Sequence, residues 1–310
     1  MRRAVLCAVA LLAVSSCRGE PRSAAFTLQD DWHRSVALTA PARRIVSLSP
    51  ATTELVFALG AGDRLVGRTT WCDWPAAAKQ VPDMGNGIGI NVEAVAAARP
   101  DLVLVYPSEA NRSAVQQLDQ LGITSAALKQ DAIAEWRGTV RWVARALGDS
   151  ARGDSLLADF DRRLAAVRVP DSSADRFLFR PSVFIAVGAN PPIAIGKGSF
   201  VSELLELAGG RNAFEEVAGP SAVVSLEAIV AHRPDGVLVL GPDSTIPDVR
   251  MRPGWRSIGA VARGFVIAVD GSQFNRPSPR LPEAVAELKR RMFILRDNCR
   301  PGGRTVCDQR

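Results

Sequence analysis

Two histidines, His33 and His232, and five cysteines carry most of the nucleophilic and metal-binding potential of this 310-residue chain. A serine hydrolase needs an exposed nucleophile on a strained elbow, a histidine base and an acid to orient it, but no Gly-x-Ser-x-Gly sequence occurs. His232 precedes Arg233-Pro234 and reads as the last turn of a helix rather than a base. A bare transition metal needs converging histidines and carboxylates, which two histidines do not supply. Gly85-x-Gly87-x-Gly89 lacks both a preceding strand and the spacing of a dinucleotide loop, and Gly196-Lys197-Gly198-Ser199 lacks the upstream glycine of a phosphate loop. The chemistry-bearing residues therefore argue against an enzyme and against a resident metal or cofactor. A metal that arrives already chelated needs no such ligands and survives the objection.

The cysteines say more about compartment than about reaction. Met1-Arg2-Arg3 gives a positive start, and residues 4–14 are an uninterrupted apolar run. At about 11 residues that run suits a signal-peptide core and is too short to span a bilayer. It ends in Val14-Ser15-Ser16-Cys17, which resembles a bacterial lipobox. Residues 1–17 are then a lipoprotein signal ending at a lipidated Cys17, and residues 18–42 a tether and lead-in; the alternative is an ordinary secretory signal with a chance cysteine. No later apolar run reaches the roughly 18 residues of a membrane span. The expected location is the cell envelope, facing the periplasm or the exterior, held by lipid alone. Export permits disulfides, and Cys299 and Cys307 lie close enough in the Pro/Gly-rich tail, residues 297–310, to close a short loop. Cys72 is left without a partner and reads as a packed thiol, with a soft ligand in a cleft as the other option.

The balance of residues is that of an ordinary globular protein, 47% hydrophobic and 23% charged. The net charge of +6 comes from scattered arginines with no basic stripe interleaved with aromatics, so nucleic acid is not expected as a partner. A basic balance would suit an anionic ligand, and arginine-rich composition from a GC-rich genome explains it equally well.

Apolar, β-branched runs at 44–49, 64–69, 102–106 and 123–128 predict strands, separated by helices near 52–59, 92–99 and 111–121. The second half repeats the alternation, with strands at 182–187, 236–240 and 265–269 and helices near 200–208, 226–232 and 282–295. Such alternation predicts an α/β fold with mainly parallel sheets covered on both faces. Between the halves, 132–147 and 150–167 are long helical patterns broken only at Gly148-Asp149. Leu156, Leu157, Phe160 and Leu164 in the second recur at helical spacing. The expected organisation is an N-terminal lobe over 43–148, a linking helix over 149–170 and a C-terminal lobe over 171–296.

An internal repeat supports two lobes. Asn91-Val92-Glu93-Ala94-Val95 leads to Arg99-Pro100-Asp101 and an apolar strand; Ser225-Leu226-Glu227-Ala228-Ile229 leads to Arg233-Pro234-Asp235 and another. The spacing from Glu to Pro is the same in both copies. Asn91 and Ser225 are good N-caps, and each proline stops its helix before a buried strand. Two copies of one plan, facing each other, make a cleft.

Arg44-Ile45-Val46-Ser47-Leu48-Ser49-Pro50-Ala51-Thr52-Thr53-Glu54 resembles the opening of periplasmic cobalamin-binding proteins and their ferric-siderophore relatives. Thr69-Thr70-Trp71-Cys72-Asp73-Trp74-Pro75, the two repeat units, Gly188-Ala189-Asn190-Pro191-Pro192 and Ser278-Pro279-Arg280 continue it in order over about 43–295. The resemblance implies two Rossmann-like lobes joined by one long helix, a shallow cleft and modest closure on binding. It implies a monomeric capture protein that serves an ABC permease dimer with its ATPase subunits. Glu93 and Glu227 occupy the family's two permease-docking positions, one per lobe. Trp71 matches an aromatic of the cobalamin binders and Arg276 a ligand-side arginine. With Trp74, Asn86, Asn190 and Phe274 they form the expected ligand contacts, in loops at strand ends where α/β clefts bind ligands. Residues 85–89, Ser221 and Ile193 lack aromatics that the resemblance would place there. Corrinoid, ferric siderophore and haem all stay open as the transported metal chelate, and an orphan ligand sensor without a transport partner is the alternative of another class.

Overall fold

The computed structural model describes residues 26–87, 89–170, 179–187, 191–240 and 245–299. The N-terminal lobe is built on four short strands, β3 (Ile45–Ser47), β4 (Leu65–Arg68), β5 (Leu102–Val105) and β6 (Ser125–Ala127). They pair in the order β4-β3-β5-β6, all parallel. Every residue of β3, β5 and β6 is buried, as parallel strands covered on both faces require. Helices α1 (Pro50–Ala58), α2 (Val92–Ala97) and α3 (Glu109–Gln120) make the crossovers. Pro50 starts α1 at a position where its missing N–H costs nothing.

Residues 26–38, expected as part of a tether, instead form an antiparallel hairpin of β1 (Phe26–Gln29) and β2 (Ser35–Leu38). Leu28, Val36 and Leu38 enter the core. Asp30 organises the turn: its carboxylate accepts from the backbone N–H groups of Trp32, Arg34 and Ala127. His33 sits in that turn with a positive φ of 60°.

In the C-terminal lobe, β7 (Ser182–Val187), β11 (Gly236–Leu240) and β12 (Val266–Val269) are parallel. The sheet is mainly parallel, as expected, with β8 (Ile193–Ile195) and β10 (Ser221–Val223) added on antiparallel. β8 follows β7 too closely for a crossover helix, so the chain turns back. β9 (Arg211–Asn212) pairs with the start of β7. Helices α6 (Phe200–Leu207), α7 (Leu226–His232), α8 (Thr245–Met251), α9 (Gly259–Arg263) and α10 (Gly271–Phe274) flank this sheet.

Three helices tie the lobes together: α4 (Ile133–Ala146), α5 (Ser150–Val167) and α11 (Leu281–Cys299). Gly148, with φ of 78°, and the Asp149 cap on Arg152 N turn α4 directly into α5. Gly153 lets the two helices touch, since a Cβ there would come within 2.5 Å of the Ala144 methyl. One core cluster runs through this joint, from Leu55 and Trp136 through Phe160 and Leu164 to Leu204 and Leu288. Trp136 and Phe160 stack tilted at 4.6 Å between ring centroids. Smaller clusters lie under the outer helices of each lobe.

Candidate functional site

Both sheets point the carboxyl ends of their parallel strands at the junction between the lobes, where a cavity of about 620 Å³ opens. The N-terminal lobe lines it with residues that follow its strands: Ser49 and Pro50 after β3, Trp71 and Asp73 after β4, Tyr106 after β5, Gln130 and Asp131 after β6. The C-terminal lobe supplies Ser199 and Phe200 at the start of α6, Pro220, and the segment that follows β12, from Asp270 to Pro277. This is the position at which open α/β sheets bind ligands, because strand ends and helix starts there leave loops free to vary.

Of the expected contacts, Trp71 and Arg276 meet at this cavity. Trp71 stands at its rim, 62% exposed. Arg276 is 8% exposed and crosses between lobes: Nε donates to Ser272 O, Nη1 to Trp71 O at 3.2 Å and Nη2 to Asp73 Oδ1 at 2.6 Å. Its donors are thus engaged by protein, and it is a brace for the loop 71–73 more than a free cation. Phe274 corrects an expectation: at 1% exposure it is packed into the core from the last turn of α10, and it offers no face to a ligand. Trp74 stands outside the cavity lining, with the Arg280 guanidinium 4.5 Å over its ring. Arg280 in turn makes a two-pronged bond to Glu54, Nε to Oε1 at 2.7 Å and Nη2 to Oε2 at 2.9 Å. Asn86 is exposed and also outside the lining. Cys17, Asn190, Cys307 and the Cys299 side chain lie outside the described residues, and with them the lipid anchor and the tail disulfide.

The loop that carries Trp71 and Asp73 is anchored from below by a buried cluster of small polar groups. Thr53 Oγ1 lies 2.8 Å from Ser47 Oγ and 3.0 Å from Cys72 Sγ, and Thr69 Oγ1 is 3.1 Å from the same sulfur. Cys72 is therefore a packed thiol facing away from the cavity. His232 is likewise occupied, its ring stacked on Phe214 at 4.2 Å with Nδ1 at Ala228 O and Nε2 at Glu216.

Tyr106, Gln130, Asp131, Asp73 and Asp270 are cavity residues that sequence reasoning missed. Tyr106 was findable, because it directly follows an apolar strand at its carboxyl end. Its hydroxyl donates to Asp131 Oδ1 at 2.7 Å. Burial first, then that bond and the charges of Asp131 and Glu135, hold Tyr106 well above the ordinary tyrosine range, so it stays a neutral donor.

The two docking candidates sit in matching frames. Glu93 lies in the first turn of α2 behind Asn91, whose Oδ1 accepts from Ala94 N at 2.9 Å; Glu227 lies in the first turn of α7 behind Ser225, whose Oγ accepts from Ala228 N at 3.2 Å. Both acids are exposed. The Glu227 carboxyl is held below its usual range by its own backbone N–H and then by the Ser225 hydroxyl. Among the described residues no group of three or more His, Cys, Asp and Glu is arranged to hold a metal, and no helix is long and apolar enough to cross a membrane.

Comparison with known proteins agrees with this architecture. The chain is 32% identical to a Bacillus subtilis protein described as an uncharacterized ABC transporter substrate-binding lipoprotein, over 86% of this chain and 85% of the other. It is 28% identical to a vitamin B12-binding protein of Vibrio cholerae over 80% of this chain and 88% of the other. Among solved structures, the apo periplasmic haem-binding protein RhuT of Roseiflexus sp. RS-1 superposes with a TM-score of 0.73 at 26% identity, covering 82% of this chain and 99% of that one. The vitamin B12-binding protein BtuF of Vibrio cholerae gives 0.70 at 27% identity, covering 82% and 98%. The profile of the periplasmic binding protein family matches residues 45–272, and the chain belongs to that family.

Proposed function

We propose that this protein is the substrate-binding component of an ABC importer, capturing a metal chelate between its lobes and handing it to a permease dimer. The carrying observation is the cavity at the strand ends of both lobes, large enough for a sizeable small molecule. Trp71 offers an exposed indole on which a flat ring can stack, and Tyr106 a neutral hydroxyl. Relatives with a vitamin B12, haem or ferric-hydroxamate cargo in their descriptions support a corrinoid, haem or ferric siderophore here.

Capture needs no chemistry from the protein. The ligand enters between lobes that α5 and the Asp73–Arg276 and Glu54–Arg280 pairs already hold in register. Closure is then a small rotation about that joint. Glu93 and Glu227, one exposed carboxylate per lobe, orient the loaded protein over the two-fold permease. The lipobox-like sequence before Cys17, and a relative described as a lipoprotein, support a lipid anchor at that cysteine.

Tryptophan-fluorescence titration of the protein with cyanocobalamin, cobinamide, haemin and ferric siderophores tests the reading, with inner-filter controls for coloured ligands. Saturable quenching at micromolar concentration or below by one of them is expected. Absence of any response from folded protein would remove the capture role.

A further inference from the structure

The wall of the cavity is acidic although the chain is basic. Against a formal net charge of +6, the charged residues that line the cavity among those described are Asp73, Asp131 and Asp270, with Arg276 alone opposing them. Arg276 is consumed by Asp73 and two carbonyls, which leaves Asp131 and Asp270 without a countercharge of their own in the lining. Asp270 also caps α10, its two oxygens accepting from Ser272 N and Ser272 Oγ at 2.9 Å each. Lys129 approaches Asp131 at 3.4 Å, but it is shared with Glu135 at 2.8 Å, so that group brings as much negative charge as positive. The starts of α1 and α6 also border the cavity, and each helix end carries about +0.5 charge. Together they offset about one carboxylate and leave the wall negative. The polar lining is rich in acceptors as well. Gln130 Oε1 is buried with no protein partner, and the hydroxyl proton of Tyr106 is already given to Asp131.

Resting on the capture reading above, we infer that this wall selects the charge class of the cargo. It favours a neutral or cationic chelate rich in N–H donors over one that carries carboxylates, and Asp131 and Asp270 are the specificity-determining residues. A carboxylate entering between them meets like charge as the lobes exclude water, where Coulomb repulsion is least screened. An ammonium or amide meets net negative charge instead, because Asp131 holds the neutral Tyr106 hydroxyl and a lysine shared with Glu135, and Asp270 the neutral N–H and hydroxyl of Ser272. The chain's overall positive charge then belongs to its outer surface and is no guide to the ligand.

The test holds scaffold constant and varies charge. Calorimetric titration of the full-length protein would use a ferric trihydroxamate with a free ammonium, its N-acetylated neutral form and its N-succinylated anion. Cyanocobalamin and its amide-hydrolysed carboxylates form a second series, with haemin as a further anionic probe. Within the scaffold that binds, the carboxylate form should be weaker by about tenfold or more at low salt. The Asp131→Asn/Asp270→Asn double variant should narrow that gap several-fold. Raising salt from about 0.05 M to about 0.5 M should narrow it in the unaltered protein, a reading independent of whether the variant folds. Equal affinity across charge states, or preference for haemin or a carboxylate form, would overturn the inference and leave the capture reading standing. Failure of every probe to bind folded protein would overturn both.

Discussion

In the N-terminal lobe, Asp101 accepts from the N–H groups of Arg43 and Arg44 at the head of β3; in the C-terminal lobe, Asp235 accepts from Ser182 N at the head of β7. The preceding arginines, Arg99 and Arg233, share the same left-handed φ of 46°. Both first-turn acids sit behind a polar cap with the same bond to the third residue on. The cavity walls have no such correspondence. One lobe presents Trp71, Tyr106 and Asp131, the other Phe200, Asp270 and Arg276, and among the described residues the buried hydroxyl and thiol cluster lies beneath the first lobe's loop. What is duplicated is the frame and the outward carboxylate, which suits the proposed docking over a two-fold permease. What is not duplicated is the lining of the cavity.

Charge reversal tests the duplicated part most severely. The double variant Glu93→Arg/Glu227→Arg should abolish chelate uptake in cells while ligand affinity holds, with stability lowered by at most about 1 kcal/mol per helix start, and each single reversal should leave partial uptake. Full uptake by the double variant would detach the repeat from docking. The joint between the lobes comes next. Glu54 is 4% and Arg280 15% exposed at the side chain, so Glu54→Ala should cost about 3 kcal/mol by leaving a largely buried guanidinium without its countercharge, with only Ser272 O and the Trp74 ring still against it. Adding Arg280→Met should recover part of that in chemical denaturation. In the unduplicated pocket, Trp71→Ala should weaken binding by up to about tenfold through loss of a stacking face, with no change in stability. The smallest effect sharpens the comparison further: Asn91→Ala and Ser225→Ala should each cost about 1 kcal/mol, because the two caps do the same work. A large inequality between them would mean that the frames are alike in outline only.

The frame was legible in the sequence because it is local. A cap, an apolar stripe, a proline and a buried strand follow one another along the chain, and the strands at 102–105 and 236–240 stand where their apolar runs predict. The hairpin at 26–38 escaped because two strands of four residues with one buried face leave only a faint alternation. The pocket was legible in part. Trp71 stands at the rim, but Phe274 turns inward, since a one-turn helix fixes its direction and no neighbouring residue signals it. Arg276 was expected to face a ligand, yet its partners, Trp71 O and Asp73, lie some two hundred positions away in the chain. Net charge left the cavity open for the same reason: it sums over the whole chain, whereas the cavity lining collects a few charged residues, Asp73, Asp131, Asp270 and Arg276, from several loops.

Backbone hydrogen exchange, with and without the chelate that quenches tryptophan fluorescence, tests the central claim most directly. A ligand held between the lobes should slow exchange in segments of both at once, at 70–73, 106 and 130–131 on one side and 199–201 and 270–277 on the other. Protection confined to one lobe, or falling outside these loops, would contradict capture at the interlobe cavity.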